Sequence, residues 1–195
     1  EFDHADIFDD LDAIKKQFHH LIKIIPKDGK VIFFNHDKNA LDVINQGCWA
    51  NTIEINGNSS NASFDISSST VSFEGDSVQI AELPIYGSHN NLNAIAAIIS
   101  AASYGIKLMD AYNGLKEFKG VLRRLENKGT FKGVTILDDF AHHPTAIKST
   151  IDAVKDKYVE KKILNVIELG SNTMSGGFHL KELISIDNLD SDILC

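Results

Sequence analysis

The chain has 195 residues with 27 acidic and 19 basic side chains, a formal charge of −8, which argues against a nonspecific nucleic-acid binder because such proteins carry a basic stripe. An apolar fraction of 43% with 24% charged residues excludes global disorder. Cys48 and Cys195 are the only cysteines, which fits a reducing cytosol and not a disulfide scaffold, and the longest small-apolar run, Ala94 to Ala102, is too short to cross a bilayer.

Ile7, Leu11, Ile14, Phe18, Leu21, Ile22 and Ile25 recur with the 3.6-residue rhythm of an amphipathic helix and predict one over Ala5–Ile25. Pro26-Lys27-Asp28-Gly29 ends it, and Val31–Phe34 reads as a buried strand. Leu41–Gly47 reads as a short helix and Thr52–Ile55 as a strand. From Ser63 to Tyr86 the pattern alternates: Phe64 and Ile66, Val71 and Phe73, Val78 and Ile80 predict three strands of an antiparallel meander. Asn58 and Asn61 each open a glycosylation tripeptide, but no signal peptide precedes them and they read as loop chemistry.

His89–Tyr104 is apolar nearly all round, which predicts a helix buried against a sheet, with Gly105 as a left-handed cap. Asp110–Phe118 reads as a second helix. Met109, Met174 and the aromatic residues read as core. A new cycle follows: strand Phe131–Asp138, helix Pro144–Lys157 with proline in its first turn, strand Ile163–Leu169, helix Leu180–Ile186 and strand Ser191–Cys195. This βαβαβ order is that of a doubly wound sheet, so the chain reads as two α/β domains, 1–119 and 120–195. The last strand reads as cut off in mid-sheet, which predicts a fragment.

The two arginines of the chain, Arg123 and Arg124, are neighbours, while lysine serves everywhere else. That pairing suits a planar bidentate donor, or else an exposed boundary segment. Asp138-Asp139-Phe140-Ala141-His142-His143-Pro144 lies between a strand and a helix, where open α/β sheets bind ligands, although Asp and His also cap such turns. Glu1, Asp3, His4 and Asp6 precede a helix and suit either Mg²⁺ or simple capping. His19 and His20 diverge by about 100° on a helix and cannot chelate one ion. The sequence contains no zinc spacing, no G-x-S-x-G, no G-x-G-x-x-G and no Walker loop.

Together these segments resemble the Mur ligases, ATP-dependent enzymes that build the peptidoglycan stem. Glu1–Phe8 resembles a central-domain motif, and His89-Asn90-Asn91-Leu92-Asn93-Ala94 the family's H-N-x-x-N-A helix start. Gly120–Arg124 resembles the arginine pair between the central and C-terminal domains. Asp138–Thr145 resembles the C-terminal signature of the UDP-N-acetylmuramate branch. Phe18–Leu21, Gly47–Trp49, Arg123–Glu126 and Ser171–Met174 are similar to the members that take a murein tripeptide.

The resemblance implies a partial Mur ligase central domain, a sheet with an antiparallel extension, followed by a Rossmann-like C-terminal domain. It implies a cytoplasmic bacterial enzyme, with ATP and Mg²⁺ as cofactors and with UDP-N-acetylmuramate and the tripeptide L-Ala-γ-D-Glu-meso-diaminopimelate as partners. The muramate carboxylate would be phosphorylated by ATP, and the acyl phosphate attacked by the tripeptide amine to give an amide. His4 would ligate Mg²⁺ with Glu1 nearby. His89, Asn90 and Asn93 would line the adenine, Arg124 or Arg123 would touch phosphates or ribose, and Asp138 or Asp139 the ribose. His142 and His143 would face the incoming peptide, and Ser171, Asn172 and Thr173 would hold its carboxylates. Leu169-Gly170 stands where the tripeptide branch usually shows Pro-Arg, and Ser175-Gly176 replaces a lysine and apolar pair, so an arginine fork is missing there. Alternative readings are a ligase for L-alanine, a noncatalytic binding module of the same fold and a secreted glycoprotein. Without a Walker loop, the 195-residue chain by itself is expected to ligate nothing.

Overall fold

A computed structural model describes residues 2–58, 60–81, 83–168, 170, 176–177, 179–186 and 192–194. The chain divides into two compact units: Asp10–Pro84 with Leu92–Phe118, and Glu1–Asp9 with Ile85–Asn91 and Lys119–Cys195. Two short segments distant from the expected boundary near Gly120 therefore group with the C-terminal part of the chain.

In the first unit, α1 spans Leu11–Ile24 and begins later than the hydrophobic rhythm predicts. The Asp10 carboxylate accepts the Ala13 N–H at 2.8 Å and sets the helix start there. Upstream, His4 has φ +56° and its carbonyl accepts the N–H groups of Ile7 and Phe8, which closes a turn and leaves Ile7 exposed. Then β1 (Lys30–Phe34), α2 (Lys38–Asn45) and β2 (Asn51–Ile55) form a parallel βαβ unit in which Ile32 pairs with Ile53. The Asp37 carboxylate caps α2 through Asn39 and Ala40 and starts it three residues earlier than expected. The predicted meander is present as β3 (Ala62–Asp65), β4 (Thr70–Phe73) and β5 (Asp76–Gln79).

Two helices complete that unit, α3 (Ser88–Ser103) from Leu92 onward and α4 (Leu108–Lys116). Gly105 ends α3 at φ +91°, with Gly105 N–H on Ala102 O and Ile106 N–H on Ala101 O, the bond pair of a Schellman cap. Ile95, Ile98 and Ile99 of α3 pack with Leu108 and Tyr112 of α4 on Ile55, Val71, Phe73 and Val78. Burying these aliphatic chains is the main favourable term for the unit, about 1.5–3 kcal/mol for each large side chain. The Tyr112 hydroxyl accepts the Ala81 N–H at 3.0 Å, so the one polar tip in this core is satisfied. Met109, Phe18, Trp49, Tyr104, Phe118, Phe131 and Phe140 are exposed, contrary to their reading as core. Met109 lies beside Leu108 on α4, and a one-residue step turns it off the buried face. Met174 lies outside the described residues. His19 is buried with Nε2 3.0 Å from Gly47 O, while His20 is exposed, as their divergence on a helix requires.

In the second unit, the expected single strand over Phe131–Asp138 is instead a hairpin of β6 (Glu126–Phe131) and β7 (Val134–Asp138). Lys132 and Gly133 both have positive φ, +48° and +82°, the two-residue turn whose twist matches flanking strands. The polar stretch Glu126–Thr130, with a register shift between Asn127 and Gly129, hides β6 from a hydrophobicity reading. After α5 (Pro144–Lys157), β8 (Leu164–Val166), α6 (Leu180–Ile186) and β9 (Asp192–Leu194) form a second parallel βαβ unit. Ile147 and Ile151 of α5 pack with Ile186 of α6, flanked by Ala141, Ile167 and Leu183. Among the described residues, no helix is long and apolar enough to cross a membrane.

Candidate functional site

The site is built at the end of β7, where the chain leaves the hairpin and turns into α5. Asp139 holds that turn. Its Oδ2 accepts the Leu125 N–H at 2.8 Å, and its Oδ1 accepts the Ala141 N–H at 2.8 Å and the Thr150 hydroxyl at 3.3 Å. Phe140 N–H donates to Arg123 O at 2.8 Å. The arginine segment is thereby clamped to the strand-end turn by backbone and carboxylate bonds. Asp138 is differently placed, with one oxygen 3.7 Å from Lys128 Nζ, which also lies 2.8 Å from Glu126. Lys128 and the Arg123 N–H, which donates to Glu126 at 2.9 Å, hold the Glu126 carboxyl below its ordinary value.

The two arginines differ in what they touch. The Arg123 guanidinium lies 4.6 Å over the ring of Phe140, and its backbone sits at φ +57°. Arg124 is exposed, and among the described residues its guanidinium has no hydrogen-bond or ion-pair partner. The two histidines differ likewise. His143 caps α5, its Nδ1 accepting the Thr145 N–H at 3.3 Å. That leaves the proton on Nε2, which donates to Phe2 O at 3.2 Å. In His142 the Nδ1–H donates to Phe140 O at 2.9 Å, which turns Nε2 away from that carbonyl.

That Nε2 lies 3.7 Å from Asp3 Oδ2, and His4 Nε2 lies 3.9 Å from the same oxygen. Partial burial disfavours the Asp3 charge. The His4 N–H, 2.7 Å from Oδ1, and the rings of His4, His142 and His143 outweigh it and hold the carboxyl below its ordinary value. His4, with its left-handed backbone, is a strained residue of the kind found at ligand sites. Among the described residues, no group of three or more His, Cys, Asp or Glu side chains could hold a metal.

The start of α3 belongs to the same unit up to Asn91, and Asn93 to the other. Gly87 sits at φ +91°, and its carbonyl accepts the Asn90 and Asn91 N–H groups. A Cβ there would lie 2.8 Å from His89 Cε1 and 2.9 Å from Ala153 Cβ, so only glycine fits. Asn90 Nδ2 donates to Tyr86 O at 2.7 Å, and Lys157 Nζ lies 4.5 Å over the Tyr86 ring. His89 and Asn93, four residues apart, share one face of α3.

Glu1, Ser171, Asn172 and Thr173 lie outside the described residues. Reading the sequence did not single out three residues that the site contains. Asp3 was one of a cluster of acids, and Phe140 an ordinary aromatic. His179 carries no motif, yet its ring meets that of His143 edge-on at 4.5 Å. Its Nε2 is buried without a hydrogen-bond partner among the described residues.

Two α/β units with this clamped strand-end turn define a class: the chain belongs to the Mur ligase family. The family's middle-domain model matches residues 1–101, and its glutamate-ligase domain model matches residues 123–185. The chain is 42% identical over 183 residues to the Escherichia coli UDP-N-acetylmuramate–L-alanyl-γ-D-glutamyl-meso-2,6-diaminoheptandioate ligase, covering 91% of this chain and 40% of that protein. It is 36% identical over 179 residues to the UDP-N-acetylmuramate–L-alanine ligase of Clostridium botulinum, covering 85% and 38%. Among solved structures, a murein peptide ligase from Psychrobacter arcticus superposes with a TM-score of 0.65 at 36% identity, over 85% of this chain and 36% of that one. MurF from Acinetobacter baumannii, at 19% identity and a TM-score of 0.76 over 95% of this chain and 42% of that one, shares the fold. The chain thus spans about 40% of the length of the curated relatives it matches.

Proposed function

We propose that this chain forms part of an ATP-dependent ligase that joins the murein tripeptide to UDP-N-acetylmuramate in the bacterial cytoplasm. One observation carries the reading: the Arg123–Arg124 segment is clamped to the Asp139–His142 turn, and His142 faces Asp3 beside His4. The 42% identity to the Escherichia coli tripeptide ligase supports the choice of substrate.

Arg124, with its guanidinium unpaired among the described residues, offers a bidentate fork to phosphate or ribose. Asp138 keeps one carboxylate oxygen outside its ion pair for a ribose hydroxyl, whereas both oxygens of Asp139 serve the turn. His89, Asn90 and Asn93 line the adenine. His4, with Glu1, would hold Mg²⁺, which when bound would supply positive charge to the phosphoryl oxygens. His142 presents Nε2 to the incoming peptide, and His143, through its cap on α5, keeps the turn in place. Ser171, Asn172 and Thr173 take the peptide carboxylates, without an arginine at Gly170.

The test is ADP release by the full-length protein supplied with ATP, Mg²⁺, UDP-N-acetylmuramate and tripeptide. Release that needs every component and is not restored by L-alanine in place of tripeptide is expected. Release with L-alanine alone would transfer the reading to the L-alanine ligases, and no release under any combination would overturn it. The 195-residue chain by itself should release none, since phosphoryl transfer relies on phosphate-positioning donors that a Walker loop supplies.

A further inference from the structure

Phe140 touches the arginine segment and His142 twice each. Its N–H donates to Arg123 O at 2.8 Å and its carbonyl accepts the His142 Nδ1–H at 2.9 Å. Its ring carries the Arg123 guanidinium on its face, 4.6 Å from the centroid, and meets the His142 ring at 5.0 Å with an interplanar angle of 63°. The ring is 47% exposed, so core burial does not explain it. What an aromatic ring supplies here, and an aliphatic chain does not, is its quadrupole: a negative face for the guanidinium and a flat partner for an edge-on imidazole.

Arg123 is itself held from three sides. Its N–H is bonded to Glu126, its carbonyl to Phe140 and its guanidinium to the ring, which together sustain a left-handed backbone that a β-carbon disfavours. Arg123 is thus spent on the turn, and its neighbour Arg124 is the one left to meet a ligand.

We propose that Phe140 is a positioning residue whose ring couples the orientation of Arg123, and with it the course of the Arg123–Arg124 segment, to the orientation of His142. This deepens the ligase reading and rests on it for the roles of Arg124 and His142. The coupling links the phosphate-side cation to the peptide-side imidazole through one exposed ring. Phe140 need not touch any substrate.

Nuclear magnetic resonance on the full-length protein reads the coupling directly. The Arg123 guanidinium lies over the face of the ring and the His142 ring meets it at 5.0 Å, so the signals of the Arg123 Nε–H and the His142 Hε1 both report its ring current. Phe140→Leu should remove the ring-current shift from both signals, and Phe140→Tyr should leave both in place. Arg123→Gln should move His142 Hε1 in the native chain and produce no further change once Phe140 is Leu. If Phe140→Leu disrupts the amide pattern of β6 and β7, Arg123→Gln decides alone, because an exposed guanidinium is removed without touching the core. A His142 signal that ignores Arg123→Gln overturns the proposal. In the full-length ligase, Phe140→Leu should lower kcat about tenfold, equivalent to about 1.4 kcal/mol, with KM for ATP nearly unchanged and Phe140→Tyr restoring the rate. An active ligase indifferent to Phe140→Leu would overturn the coupling and leave the ligase reading intact. An inactive wild-type protein with the expected signal shifts would do the reverse.

Discussion

Asp3 Oδ2 lies 3.7 Å from His142 Nε2, and the His142 ring is turned that way because its other nitrogen is bonded to Phe140 O. The contact joins the start of the chain to the turn before α5 within one unit. The folded Asp3 carboxyl titrates below its ordinary 3.8 because the His4 amide and the neighbouring imidazoles outweigh the penalty of partial burial.

A lowered carboxyl value gives stability that is complete above the unfolded pKa and lost as pH falls through the folded one. Wild-type protein should therefore exceed Asp3→Asn in stability at about pH 5 to 6, and the advantage should fade as pH falls below 3.8 through the folded value. Urea denaturation across that range checks this. A gap of constant size down to about pH 2 would remove the charge from the explanation.

Arg124→Lys keeps the charge and loses the planar fork. In the full-length ligase it should cost at least about tenfold in kcat/KM, roughly 1.4 kcal/mol of transition-state stabilisation. Steady-state kinetics with ATP varied would show it. Wild-type behaviour of both Arg124→Lys and Arg123→Lys would reduce the pair to an exposed boundary segment.

Asp139→Ala leaves the N–H groups of Leu125 and Ala141 without an acceptor, and Leu125 is buried. Stranding a donor costs about 1–3 kcal/mol, so the two together are expected to cost about 2–6 kcal/mol, most of it at Leu125. Asp139→Asn retains an acceptor oxygen and should lose less. Equal loss in the two variants, measured by denaturant midpoint, would mean that charge and not the bonds holds the turn.

Gly87→Ala meets two obstacles, a backbone at φ +91° and a Cβ position already within 3 Å of His89 and Ala153. Destabilisation of about 1–3 kcal/mol is expected, from strain and from displacement of the His89 ring. Thermal melting gives the size, and the His89 imidazole resonances should shift with it. An unshifted His89 would show that α5 gives way and the ring does not.

Much of this was written locally in the chain. The all-apolar run of α3 with Gly105 after it, the alternation from Ser63 to Ile80, and Pro144 at the start of α5 each specify an element through its own period or cap, because burial repeats at 3.6 or 2 residues whatever the partner. The motif residues too were legible as residue types: an arginine pair, an aspartate pair, a histidine pair. Which member of each pair is committed to the protein was not. Arg123 lies on Phe140 and Arg124 does not, and Asp139 is saturated by Leu125, Ala141 and Thr150 while Asp138 meets Lys128. His143 is held by Thr145 and Phe2, while His142 turns to Asp3. Those choices depend on donors and acceptors delivered by other segments. The strand β6 was hidden for the same reason, since its polar residues are ordered by pairing with β7 and not by burial of their own. Tertiary structure decides such matters because neighbouring side chains in a turn point different ways, and only the folded chain determines what stands opposite each.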